Sequence, residues 1–195
     1  MNDTQRKKLI NAIMYFSANV KHPYKLKIFK LLYFLDFYHI KQKGVPVTNL
    51  KYYAWEMGPV PKDLYYEIKN GLLPDANESI KIIPKQLSDD KEAYEFKAKK
   101  PININIFTPR EKQIMDNLIY IFKDATAKDM SEITHLKNTP WYKTRKEKGD
   151  GEFIDYELAI DYESTIKMED AIIKITEREE IRNNFLMDDC IQMTI

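Results

Sequence analysis

The segment from Lys25 to Gln42, KLKIFKLLYFLDFYHIKQ, limits the fold of this chain more than any other stretch. Ile28, Leu31, Leu32, Leu35 and Tyr38 recur at helical spacing as an inner stripe, and Phe29, Tyr33, Phe34 and Phe37 widen it. Little polar circumference is left. A helix with so broad an apolar surface has to be an axis, with other helices packed around it. Pro23 stands where a helix takes its first-turn proline, and Gly44 predicts a left-handed cap at the far end.

Neighbouring segments supply those helices. Asp3 or Thr4 can cap a first helix to about Asn19, with Leu9, Ile10, Ile13, Met14 and Ser17 on one face. Pro61 can start a helix that Gly71 stops after Asn70. Thr108-Pro109-Arg110-Glu111 is a capping box with proline inside it, and predicts a helix from Pro109 to about Lys123. Another is expected from about Ala127 to Leu136, with Pro140 ending that region and a charged loop from Lys146 to Gly151. A last helix is expected from Met168 to about Met187, with Ala171, Ile172, Ile175, Ile181 and Phe185 as its apolar positions.

Extended segments are few and short. Val45-Pro46-Val47 and Leu50 to Trp55 predict a hairpin turning at Thr48-Asn49. Pro59 and Pro61 force an extended corner around Val60. Ile80 to Ile83 with Glu92 to Lys97 predict a second β unit, and the alternation from Ile102 to Phe107 predicts a half-buried strand. Only 5 glycines in 195 residues argue against a turn-rich β fold. The expected class is mainly α: one compact helical domain with a small β-hairpin or sheet insertion and a C-terminal helical extension.

One cysteine, Cys190, excludes an internal disulfide and fits a reducing cytosol. No apolar leader follows Met1 and no run is long enough to span a membrane, so the expected location is cytoplasmic. The net charge of +1 hides a division. Residues 1–149 carry 27 Lys and Arg against 17 Asp and Glu, whereas residues 150–195 carry 4 against 13. A basic body and an acidic end can each face a partner of opposite sign, or screen one another.

Reactive chemistry finds little support. His22, His39 and His135 are scattered, and no pair of ligands has zinc-site spacing. Asp36 and His39, one helical turn apart, predict a local polar contact. There is no Gly-x-Ser-x-Gly elbow and no glycine-rich phosphate loop. The acid pairs Asp89-Asp90 and Asp188-Asp189 fit a solvated loop and a terminal helix. The expectation is a non-enzyme with no catalytic residue, no metal and no cofactor.

Binding is better represented. Tyr52-Tyr53 and Tyr65-Tyr66 double the tyrosines on either side of the Gly-Pro corner, and strand alternation sends Tyr52 and Tyr53 to opposite faces. Tyr52, Tyr65 and Tyr66 are candidate interface anchors, being large, stiff and amphipathic. Trp141, Lys143 and Arg145 interleave aromatic and cationic groups, which also suits nucleic acid, as do Lys21, Lys25, Lys27 and Lys30. Glu147, Asp150 and Glu152 follow at once and would repel a phosphate backbone, which favours Trp141 packing inward.

The order Lys25-Leu26, Lys30-Leu31-Leu32-Tyr33-Phe34, Asp36, Gly44, then Tyr53-Ala54-Trp55-Glu56-Met57-Gly58-Pro59-Val60 and Leu64-Tyr65 resembles the SocA-like antitoxin domain, or Panacea domain, of bacterial and prophage toxin–antitoxin operons. A looser second block holds Thr134-His135, Leu136, Pro140-Trp141, Gly149 and Ile154. The resemblance implies an antitoxin domain over residues 1–163 and leaves 164–195 as an acidic extension. It implies a cognate protein toxin as partner and a protease as a further partner, for members that act as adaptors. Tyr33, Asp36, Trp55, Gly58 and Pro59 are expected to be structural. Trp55 would wedge the corner against the central helix, and Gly58 would hold a backbone that a side chain would strain. The rival expectation is a nucleic-acid-binding regulator, although no helix-turn-helix of ordinary spacing is present.

Overall fold

The computed structural model describes residues 3–71, 76–88, 91–177 and 180. Helix α1 (Asp3–Asn19) leads into α2 (Lys25–Lys43), the axis. Its side chains from Lys27 to Phe37 are all buried, as are His39 and Ile40. Around it stand α1, α4 (Pro109–Phe122) and α5 (Ala127–Thr134). The expected capping box on α4 is formed: Thr108 accepts from Glu111 N–H and Glu111 accepts from Thr108 N–H. Thr126 and Asp129 form a second capping box on α5. Gly44 caps α2 with φ +72°, as expected, and its N–H reaches the Ile40 carbonyl.

Two antiparallel hairpins complete the domain. The first pairs β1 (Tyr52–Trp55) with β2 (Gly58–Pro61), in register Tyr52↔Pro61 to Trp55↔Gly58. The partner of the Tyr52 strand is therefore the Gly-Pro-Val-Pro corner and not Val45-Pro46-Val47, which forms a loop. The reason lies in Asp36, whose carboxylate holds that loop in place of a ladder. Segment 151–154 lines the other edge of β1, with Ala54 N–H to the Glu152 carbonyl at 2.8 Å and Ile154 N–H to the Tyr52 carbonyl at 2.9 Å. Helix α3 (Lys62–Lys69) follows β2 directly.

The second hairpin, β3 (Ile80–Ser88) with β4 (Lys91–Ala98), is the expected β unit, longer than anticipated. It docks on the α1–α2 turn, where Phe96 N–H donates to the Pro23 carbonyl at 3.0 Å. Pro23 thus serves the hairpin, and α2 begins at Lys25. The strand expected at Ile102 to Phe107 is instead a 3-10 turn, Ile104–Ile106: the Asn103 side chain accepts from Asn105 N–H, which favours a turn over extension.

Pro140 starts a helix where an ending was expected. Helix α6 (Pro140–Glu147) has proline in its first turn and Thr139 as its cap, so Lys146 and Glu147 are helical. A second 3-10 turn, Tyr156–Ala159, returns the chain to α2. Residues 168–177 are helical, and Ala171 and Ile175 join the core. A Cβ on Gly44 would stand 3.1 Å from Ala171 Cα, so the cap of α2 is also the seat of this segment. Ile172 lies at the surface. Asp89, Asp90, Ile181, Phe185, Met187, Asp188, Asp189 and Cys190 fall outside the described residues.

Candidate functional site

The polar residues of α2 explain how the corner is held. Four of them lie inside, and each ends on a loop. Lys27 donates to the carbonyls of Lys21 at 2.8 Å, Lys123 at 3.0 Å and Ala125 at 2.7 Å, tying the α1–α2 turn to the α4–α5 turn. Lys30 donates to the Met57 carbonyl at 2.7 Å, which Ser131 Oγ also reaches at 3.0 Å. Asp36 accepts from Val47 N–H at 2.8 Å, Thr48 N–H at 2.7 Å, the Thr48 hydroxyl and the Tyr52 hydroxyl at 2.9 Å. His39 Nδ1 pairs with the Val45 carbonyl at 2.6 Å. The expected contact between Asp36 and His39 is replaced by two grips on one loop.

Burial sets the electrostatics. It pushes the Asp36 carboxyl up to about 6, against the pull of its hydrogen bonds with Thr48, Tyr52 and Val47. It lowers the Lys30 ammonium to about 8. Lys27 is lowered for the same reason, with Asp124 and Asp129 pulling the other way. Lys27 and Lys30 are therefore internal donors and not the cationic surface expected of a nucleic-acid site. Lys21 pairs with Asp124 at 2.7 Å, and Lys25 lies over the rings of Tyr65 and Tyr94.

At the corner, Gly58 has φ +111°, and a Cβ there would meet Lys30 Nζ at 2.8 Å and Thr134 Oγ1 at 3.0 Å. The expected strain is thus both conformational and steric. Pro59 is buried in β2. Trp55 is half-buried, and its ring stands edge-on to Tyr65 of α3 at 5.0 Å. The Trp55 carbonyl takes the indole N–H of Trp141 at 2.9 Å. Trp141 is buried, with His135 stacked on it at 3.8 Å and the Arg145 guanidinium over its ring at 5.0 Å.

Six candidate partner-binding residues divide accordingly. Tyr52 has no exposed surface and Trp141 is buried, so both are framework. Tyr65, Lys143 and Arg145 are half-buried, with Arg145 held to Asp150 at 3.0 Å. Tyr66 is 43% exposed. The surviving residues flank the first hairpin, since α3 packs on β2 and α6 on β1. Sequence reasoning missed the internal lysines. The signal was available: on a helix apolar all round, a lysine has no solvent face to occupy.

A family model described as antitoxin SocA-like, Panacea domain, matches residues 28–142. The chain belongs to this family. No curated protein and no solved structure matches it. The matched region runs from the axis helix through the corner to Trp141, so the Panacea domain here includes the Lys30, Asp36, Gly58 and Trp141 contacts described above. Among the described residues, no group of His, Cys, Asp and Glu is placed to hold a metal ion. No helix there is long and apolar enough to cross a membrane.

Proposed function

We propose that this protein is an antitoxin that binds a cognate protein toxin encoded in the same operon and holds it inactive. Membership of the SocA-like antitoxin family carries this reading. The architecture supports it. Tyr33, Asp36, Gly58 and Pro59 are buried, and the structure around them is braced by hydrogen bonds that leave the outer faces of α3 and α6 to make contacts. Tyr66, Tyr65, Lys143 and Arg145 form the contact face in this reading. A tyrosine–arginine surface beside a rigid hairpin has the composition of an interface centre.

The acidic end adds a specific contribution. Glu169, Asp170 and Glu177 are exposed on the helical segment 168–177. They extend a negative surface toward a basic substrate-binding face on the toxin, which speeds association and disfavours neutral partners. Co-expression with the neighbouring open reading frame, scored for growth and co-purification, tests the whole reading. Rescue with a stable complex is the expected result. A neighbouring product that is not toxic, or that remains toxic and does not co-purify, refutes it. Removing residues 165–195 outright would also remove Ala171 and Ile175 from the core. The charge contribution is therefore tested by Glu169→Gln, Asp170→Asn and Glu177→Gln together, with slower, less salt-sensitive association expected.

A further inference from the structure

Helix α3 is divided by charge as well as by hydropathy. Leu64 and Ile68 are its buried positions. Lys62, Tyr66 and Lys69, at i, i+4 and i+7, share an outward stripe, and all three are exposed. The carboxylates of α3, Asp63 and Glu67, lie one turn apart on another flank, where Glu67 holds Arg6 of α1 at 2.8 Å. Among the described residues no carboxylate pairs with Lys62 or Lys69. Lys62 rests over the Tyr53 ring at 5.2 Å. Lys25 lies over the rings of Tyr65 at 4.5 Å and Tyr94 at 4.9 Å, and burial, then the Lys69 charge, hold its ammonium below the ordinary value. This side of the molecule is short of negative charge.

The helical segment 168–177 carries a stripe of the opposite sign. Its buried positions are Ala171 and Ile175. Glu169, Ile173 and Glu177, at i, i+4 and i+8, fall on the opposite face and are exposed. Ile173 is 56% exposed although it is apolar. Among the described residues no cation pairs with Glu169 or Glu177. The cation of this segment, Lys174, reaches the Lys43 carbonyl at 3.4 Å.

The two stripes match in length and order. Lys62 and Lys69 are separated by about 10 Å along a helix, Glu169 and Glu177 by about 12 Å, and each pair brackets one large side chain, Tyr66 or Ile173. They do not meet within one molecule. Tyr65 of α3 stands beside Lys25, the first residue of α2, whereas segment 168–177 sits on Gly44 at the other end of that axis, which is about 28 Å long. We infer that a second copy of this chain supplies the missing counter-charge: Glu169 and Glu177 of one copy pair with Lys62 and Lys69 of the other, and Ile173 packs on the Tyr66 ring. Exposed ion pairs contribute little singly and are screened by salt, so the association is weak and salt-dependent. The Ile173–Tyr66 contact adds a part that salt does not screen. The contact does not rest on the antitoxin reading; where that reading holds, a toxin and a second copy compete for Tyr66 and for the acidic segment.

Sedimentation of the full chain alone, up to about 1 mM and at low and high ionic strength, tests the inference. Self-association that rises with concentration and weakens with salt is expected. Reversing either stripe, as Lys62→Glu with Lys69→Glu or as Glu169→Lys with Glu177→Lys, should weaken it about tenfold or more, because like charges then face each other. An equimolar mixture of the two reversed variants should recover the association of the parent, since every pair between them is again of opposite sign. Recovery also shows that both variants fold. Ile173→Ser keeps every charge and should weaken association about tenfold at both ionic strengths. The inference is overturned by a wild-type chain that stays monomeric at about 1 mM, by parent-like association of both reversed variants, or by a mixture that associates no more than its components.

Discussion

Replacing Lys30 by methionine isolates the cost of the charge inside α2. Methionine fills a similar volume without a titrating group. In the folded protein the ammonium is lowered from 10.5 to about 8 by burial. That difference is worth about 3 kcal/mol at about 1.4 kcal/mol per pH unit. The sign follows from which state holds the proton. Between the two values the unfolded chain is protonated and the folded chain is not, so wild-type stability rises with pH through that window and carries the full penalty below it. The variant has no such dependence. Its loss is one ammonium–carbonyl hydrogen bond, about 1.5–3 kcal/mol, and the Met57 carbonyl keeps Ser131. Near pH 7 the two losses offset, and the variant should lie within about 1 kcal/mol of wild type. Urea unfolding of both proteins across the alkaline range gives the difference directly, and other titrating groups cancel. Wild type should gain about 3 kcal/mol relative to Lys30→Met between about pH 8 and about pH 10.5. A difference that stays flat would mean that the ammonium is solvated and that the corner is not built on it.

Other perturbations report on the remaining braces. Gly58→Ala should cost about 2–4 kcal/mol in urea unfolding, and part of that should return in the Lys30→Met background, where the close ammonium is gone. Asp36, with its carboxyl raised from 3.8 to about 6, holds its proton more tightly when folded; its contribution is greatest at low pH and falls by about 3 kcal/mol as pH rises through that window, a slope that Asp36→Asn should abolish. Trp141→Phe removes the donor to the Trp55 carbonyl and should lower stability by about 1–2 kcal/mol, seen as an earlier urea midpoint. Tyr66→Ala and Arg145→Ala should weaken toxin binding by about tenfold each while leaving Tm nearly unchanged; full affinity in the double variant would move the contact face elsewhere.

Much of this fold was legible because local chemistry and tertiary demand agreed. The apolar breadth of α2, the capping box at Thr108 and the Gly44 cap each specify a feature without help from distant residues, and each is present. The errors arose where a distant side chain decides. Val45-Pro46-Val47 has strand composition, but Asp36 takes the Val47 and Thr48 amides that a ladder would need. Pro140 can stop one helix or start another, and the choice rests on Thr139 as a cap. At the candidate site, the outward half of the Tyr65-Tyr66 pair was visible as composition. The inward turn of Tyr52 was not, because alternation assigns opposite faces to Tyr52 and Tyr53 without saying which is the core.

The distribution of polar groups bears on how such a domain meets a partner. A helix with charged side chains in its interior is a costly axis unless every one of them is matched. Here Lys27, Lys30, Asp36 and His39 each reach backbone groups of a loop or turn, Asp36 and His39 those of the same loop, so one rigid element positions the connections from residue 21 to residue 125. Because these acceptors and donors are backbone groups or the Thr48 and Tyr52 hydroxyls, and none belongs to α3 or α6, side chains on the outer faces of α3 and α6 can change without disturbing them. On the proposed antitoxin reading, partner choice would be set by the exposed Tyr66 and the half-buried Lys143 and Arg145, and exchanging the three together should redirect it while unfolding in urea stays that of the parent. Loss of fold in that triple variant would show that recognition and architecture share residues, and the separation argued from α2 would fail.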